Sequence, residues 1–346
     1  MQDKKISRRD LLKIMGVSGI ALGTSTLMPT AAQVKSTLAP NIAIIGAGLG
    51  GISLSAKLIK DLPNATITIF DADPILYNQP GFTLIAGGIY NKQDTLYKKE
   101  ELLDSKVKWI KENMSLVNPD NKTLTTTSNQ IYNYDYLIIA TGTTYEFEKV
   151  KGLDENIIND KNTNITTIYT ADGALKAQEM FNKIEKSGGK VLFAEPNTPI
   201  KCGGANKKIY FLLEDRLTKQ GLRDKVEMHL YAGGNSMLSS PIHAAMIEQF
   251  FIGRNMPYSK QHNLVEIDTN NNIATFEKMM PYTENGISKI AKERIQKPFD
   301  YLFMIPRMTT SSFISDSGLA ITKGDVAGHW VDVDQYTLQH KKYPHI

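Results

Sequence analysis

A single cysteine, Cys202, occurs in 346 residues. That excludes an internal disulfide framework and any metal site built on several thiolates of this chain. The six histidines show no ligand spacing, so no metal centre is expected. No apolar run reaches the roughly 20 residues of a membrane-spanning helix. Charge of one sign is scarce as well. Forty Lys and Arg stand against 36 Asp and Glu, without a basic cluster, so nucleic acid is not an expected partner. Internal repeats and low-complexity tracts are absent. At 41% hydrophobic residues the chain can bury a large core, and its length suits about two domains.

Residues 1–34 read as an export signal rather than as part of the fold. Ser7-Arg8-Arg9-Asp10-Leu11-Leu12-Lys13 resembles a twin-arginine signal. A weakly apolar stretch from Ile14 to Leu27 follows, diluted by glycines, and then Ala31 and Ala32. Up to Ala32 five basic residues face two acidic ones, so the remainder is nearly neutral. Such a signal implies a protein folded around its cofactor in the cytoplasm and exported whole, here to the periplasm.

The apolar run Asn41 to Ile45 reads as a buried parallel strand, and Gly46-Ala-Gly48-Leu-Gly-Gly51 follows at once. A helical pattern and a second strand, Thr66 to Phe70, lead to Asp71. This is a dinucleotide fingerprint in its structural context. Gly46 permits the tight turn, Gly48 lets the backbone approach a pyrophosphate, and Gly51 allows close helix packing. The helix N-terminus faces the phosphates, and Asp71 is placed to accept ribose hydroxyls. A further apolar strand from Tyr134 ends in Ala140-Thr141-Gly142, which resembles the closing motif of the first FAD segment in flavoproteins with two dinucleotide domains.

Three longer stretches narrow the resemblance. They are Tyr77-Asn-Gln79-Pro80-Gly-Phe-Thr-Leu-Ile-Ala-Gly-Gly88, Asn197-Thr198-Pro199-Ile-Lys201-Cys202-Gly-Gly-Ala205-Asn-Lys-Lys208, and Gly328-His-Trp330 through Pro344. Together they are similar to segments of the sulfide:quinone oxidoreductases, over about residues 40–346. The resemblance implies non-covalent FAD, sulfide as donor, quinone as acceptor, and a thiol or further sulfide to remove the sulfane sulfur. It implies redox chemistry at Cys202 with a second cysteine, and Glu155 as a proton carrier. Gln79 would bond the FAD ribityl or phosphate region, and backbone groups of Val117 would meet the adenine. Thr141 and Gly142 would line the flavin. Peripheral membrane contact and a homo-oligomer are also implied.

The residues support part of this independently. The strand Lys190 to Ala194 runs into Glu195-Pro-Asn-Thr-Pro199, where a nicotinamide-binding relative would carry a second glycine-rich loop. A second nicotinamide site is therefore not expected. Cys202 precedes an amphipathic helix and lies near Lys201, Lys207 and Lys208; a helix N-terminus and lysines both favour thiolate. A lone cysteine can equally be a small buried hydrophobe. The chain closes on Tyr343-Pro344-His345-Ile346, before the place of the family's second cysteine and membrane-contacting region. The reading is of an incomplete sequence that should not turn over efficiently as it stands. Flavocytochrome-type sulfide dehydrogenases hold their flavin through a cysteine of the N-terminal domain; this chain has no cysteine before residue 202, so a covalent flavin of that kind is not expected.

The expected fold is α/β, with two doubly wound Rossmann-like domains and a discontinuous FAD domain. Its first segment covers 40–148, the second domain 149–285, and the chain returns from 286 to 346, through Phe299 to Ile305. Three rival readings remain: a type II NADH:quinone oxidoreductase, a flavoprotein subunit serving a cytochrome, and a non-catalytic flavin-binding protein.

Overall fold

The computed structural model describes residues 38–346, and the signal-like segment 1–34 lies outside the described residues. The chain forms two compact units. The first comprises the described residues up to Leu76, Tyr97–Gly142 and Thr310–Ile346; the second comprises Tyr77–Leu96 and Thr143–Thr309.

In the first unit, β1 (Asn41–Ile45), β2 (Thr66–Phe70), β3 (Val107–Ile110) and a later strand, β7 (Tyr136–Ile139), form one parallel sheet in the order β3-β2-β1-β7. Helix α1 (Leu49–Asp61) crosses from β1 to β2. The strands alternate between two cores. Ile42, Ile44, Ile67 and Ile69 share one apolar cluster with Ile52 of α1. Ala43, Ile45 and Phe70 share the other with Phe313, Ile314 and Leu319. A run apolar at every position is what such two-sided burial requires. Between β3 and β7, strands β4 (Met114–Asn118), β5 (Thr123–Thr126) and β6 (Ile131–Asn133) make an antiparallel meander. The strand expected from Tyr134 starts only at Tyr136; Asp135 ahead of it accepts the Asn41 amide on its carboxylate and donates its own amide to the Asn41 carbonyl, both at 2.8 Å.

The second unit is built on five parallel strands. In chain order they are β9 (Ile165–Thr166), β10 (Gly189–Ala194), β11 (Val226–Tyr231), β12 (Tyr258–Ser259) and β16 (Tyr301–Met304). Their order is β9-β16-β10-β11-β12. Helices α2 (Ala171–Ser187), α3 (Ala205–Lys219) and α4 (Pro241–Gly253) connect them. A column of rings joins this sheet to its helices: Phe193 stacks on Tyr210 at 4.6 Å and on Phe303 at 5.2 Å, and Phe303 meets Phe181 edge-on. An antiparallel sheet of β13 (His262–Asp268), β14 (Ile273–Glu284) and β15 (Ile287–Pro298) follows α4 in the chain. Strand β8 (Thr144–Glu146) pairs with β17 (Arg307–Thr309).

The doubly wound α/β class agrees with expectation, but the boundaries differ. The division expected between 285 and 286 falls inside the two-residue turn of a hairpin. Asn285 and Gly286 both have positive φ there, and β14 and β15 pair from Ile273↔Pro298 to Glu284↔Ile287. That is the I′-type connection an Asn-Gly pair favours. The stretch Phe299 to Ile305, expected to lead back to the first domain, instead carries β16 between β9 and β10. Its residues Tyr301 to Met304 are buried on both faces, which only an inner strand allows. Residues 77–96, expected in the first FAD segment, belong to the second unit, where Phe82 and Ile85 pack on Ala171 and Ala174 of α2.

Candidate functional site

Two constellations emerge, one in each unit. In the first, the Gly46–Gly51 loop joins β1 to α1. Gly46 has φ +102°, and a Cβ there would stand 2.4 Å from the Ala140 carbonyl oxygen, so the turn tolerates only glycine. A Cβ on Gly51 would lie 1.9 Å from the Gly46 oxygen. Above Gly48 nothing lies within 4 Å of a Cβ position. Helix α1 has no acidic residue in its first turn, so its positive end stays uncompensated. The Gly46 amide is taken by the Phe70 carbonyl and the Ala47 amide by Asp71 Oδ2 at 2.7 Å. The opening amides of α1 have no acceptor within the helix, as in any helix. An open glycine cradle, an uncompensated helix end and a carboxylate at the tip of β2 fit the adenosine-pyrophosphate half of a flavin dinucleotide.

The other expected dinucleotide residues fall in the same unit except Gln79. Thr141 and Gly142 follow β7 after Ala140, and Gly142 is exposed. Val117 lies in β4 with its side chain buried; its amide donates to Ser317 Oγ at 2.8 Å, which commits one of the backbone groups expected for adenine. Asp71 is more occupied than expected. Besides Ala47 it receives the Asp73 amide at 2.9 Å and pairs with the Lys99 ammonium at 2.9 Å.

In the second unit Cys202 stands three residues ahead of α3, exposed, with φ +59°. For a non-glycine residue this left-handed conformation costs about 1–2 kcal/mol, so the surroundings must hold it. The Ala205 amide donates to the Cys202 carbonyl at 2.9 Å. The Tyr169 hydroxyl reaches the carbonyls of Lys201 and Cys202. Lys207 Nζ donates to the Gly203 carbonyl at 3.0 Å.

The three lysines have different fates. Lys208 Nζ lies 3.6 Å from Cys202 Sγ. Lys207, expected beside the thiol, is buried in an ion pair with Glu195 at 2.6 Å; Glu195 also is buried, which pushes its carboxyl up against the pull of Lys207. Lys201 donates to Gln79 Oε1 and, at 3.2 Å, to the Tyr145 hydroxyl. Burial pushes the Lys201 ammonium down, and Cys202 beside it pulls part of the way back. Burial also raises both phenols, Tyr145 to about 12 and Tyr169 further. Both hydroxyls are therefore protonated donors at neutral pH.

Gln79, placed by motif against the flavin, is thus a partner of Lys201 in the second unit. Glu155 is exposed in the first turn of the short helix Glu155–Asn159, which Asp154 caps. Among the described residues no hydrogen bond or ion pair joins Glu155 to the Cys202 group. Tyr145, Tyr169 and Glu195 were not legible as site residues, because they come from separate strands and loops with no shared spacing. The described residues contain no cluster of three or more His, Cys, Asp or Glu able to hold a metal, and no helix long and apolar enough to cross a membrane.

The family described as pyridine nucleotide-disulphide oxidoreductase matches residues 40–189. A mitochondrial sulfide:quinone oxidoreductase of Dictyostelium discoideum is 33% identical over 306 residues, covering 88% of this chain and 63% of the relative. The mitochondrial sulfide:quinone oxidoreductase of Mus musculus is 29% identical, covering 88% and 64%. The chain is similar to the sulfide:quinone oxidoreductases. It spans somewhat less than two thirds of the length of these two relatives. The X-ray structure of the sulfide:quinone oxidoreductase of Aquifex aeolicus superposes with a TM-score of 0.69 at 22% identity, covering 89% of this chain and 67% of that one. The likeness establishes the FAD/NAD(P)-binding fold common to the sulfide:quinone oxidoreductases and the wider disulphide oxidoreductase family.

Proposed function

We propose that the protein oxidises sulfide to sulfane sulfur and passes the electrons to quinone, with Cys202 as the entry point of sulfur. The observation that carries this reading is the presentation of Cys202: an exposed sulfur on a left-handed turn before α3, 3.6 Å from the Lys208 ammonium. The sulfide:quinone oxidoreductase relatives and the lack of a glycine-rich loop after β10 support the same direction.

The chemistry balances as Cys–S⁻ + HS⁻ giving Cys–S–S⁻, one proton and two electrons. Bound non-covalently, FAD would supply the acceptor for that pair on its way to quinone. The chain's own residues bring two anions together. The Lys208 ammonium offsets their repulsion, while Tyr169 and Lys207 hold the loop. Glu155 is assigned the released proton. A thiol or a second sulfide then takes the terminal sulfur. The resemblance calls for a second thiol; these 346 residues contain one.

Anaerobic titration of the flavin-loaded protein tests the reading. Sulfide is expected to bleach the flavin absorbance, NADH is not, and Cys202→Ser should abolish the effect of sulfide. Bleaching by NADH alone would sink the proposal. We also infer export by the twin-arginine route and a peripheral place on the periplasmic side of the membrane. Replacing Arg8 and Arg9 by lysine should retain the protein in the cytoplasm; unchanged export would refute that assignment.

A further inference from the structure

We propose that Lys99 is a further dinucleotide-binding residue, donating to the adenosine ribose beside Asp71. The inference rests on the flavin reading above and concerns residues of the first unit alone.

The Lys99 side chain is 4% exposed, yet it carries three N–H donors. Its ammonium pairs with Asp71 Oδ1 at 2.9 Å. One ion pair leaves two of the three N–H donors of this largely buried side chain for a further acceptor. Asp71, the partner of Lys99, accepts the Ala47 amide of the glycine loop through its other oxygen, so the Lys99 head group and that loop share one carboxylate. Lys99 is also anchored: its own amide donates to the Pro74 carbonyl at 2.9 Å, in the segment that follows Asp71.

The state of Asp71 points the same way. An ionised carboxylate offers about four acceptor positions. Ala47, Asp73 and Lys99 already claim three. Asp71 can therefore take one ribose hydroxyl as an acceptor, but cannot hold a vicinal diol alone. A ribose hydroxyl is an acceptor as well as a donor, so the spare N–H groups of Lys99 complete what Asp71 lacks. Lys99 also cancels the Asp71 charge near a loop that must admit a pyrophosphate. The ligand class is an adenosine diphosphate moiety with its ribose hydroxyls free.

The test compares FAD with its analogue lacking the adenosine 2′-hydroxyl, binding each to the apoprotein and reading flavin fluorescence. The wild type should bind the analogue about tenfold more weakly. Lys99→Met should weaken FAD by about tenfold and bring the ratio of the two ligands close to one. Lys99→Gln, which keeps a donor, should retain part of the discrimination. If Lys99 only neutralises Asp71, Lys99→Met weakens both ligands equally and the ratio stands, which overturns the proposal. Equal binding of FAD and analogue by the wild type overturns it without any substitution. Failure of the wild type to bind FAD at all overturns the flavin reading and this inference with it.

Discussion

At Cys202 function and stability pull apart. The proposed chemistry needs a thiol where the backbone, at φ +59°, would accept glycine more readily. Cys202→Gly is therefore expected to raise stability by roughly 0.5–1 kcal/mol while abolishing sulfide chemistry. Cys202→Ala should lose the chemistry without the gain. Denaturant midpoints of the two variants check this, and equal midpoints would refute it. A second residue sets a pH dependence. His229 in β11 donates to or accepts from Ser259 at 2.9 Å and stacks on Tyr231. Burial, then Lys297 and His262, lower its pKa from 6.5 to about 4. The unfolded chain therefore binds a proton between those values that the folded chain refuses. Stability is complete above about pH 6.5 and falls as the pH drops toward 4, by up to about 2 kcal/mol at pH 5. His229→Gln should flatten that part of the stability profile in urea. A slope unchanged by the substitution would assign the acid sensitivity elsewhere.

At the scale of elements, the end of β10 and the start of α3 are joined by a buried charge pair. Glu195 accepts twice from Lys207, at 2.6 and 2.7 Å, and the third Lys207 donor goes to the Gly203 carbonyl. Removing one partner of such a pair strands the other: Lys207→Met should cost about 3–5 kcal/mol. Glu195→Leu with Lys207→Met should recover most of that loss, since no charge is then buried alone. Urea unfolding of the single and double variants measures it, and a double variant no more stable than the single would contradict the pairing argument. The two elements were legible beforehand, as an apolar run Lys190 to Ala194 and an amphipathic helix after Cys202. Their coupling was not, because nothing in the spacing of residues 195 and 207 distinguishes a buried pair from two solvated charges.

For the whole molecule, the chain passes four times between its two units, and the first unit is closed by its last segment. Phe313, Ile314 and Leu319 fill the cluster that contains Ala43, Ile45 and Phe70. Burial of these three side chains contributes roughly 5–9 kcal/mol, comparable with the net stability of a domain. A chain ending at Thr309 should therefore lose protection of β1, β2 and β7 in hydrogen exchange and lose flavin binding, while β10, β11 and β16 stay protected. Protection of β1 retained in the shortened chain would show that the first unit stands without that segment. The expected return from residue 286 failed for a related reason. Phe299 to Ile305 is as apolar as any inner strand, and its composition does not say which of two parallel sheets receives it.

Local chemistry was enough for the fold class, for the glycine turn after β1 and for an exposed cysteine ahead of α3, because each is contained in a short stretch. A strand apolar at every position must be buried on both faces. A glycine at the turn of β1 admits a backbone that no side chain allows. Membership of the two units, and the partners of Asp71, Lys201 and Lys207, depend instead on segments far apart in the chain. Asp71 meets Lys99, Lys201 meets Gln79 and Tyr145, and Lys207 turns from the thiol to Glu195. Which side chain meets which charge is decided only by packing, where burial makes every unmatched polar group costly.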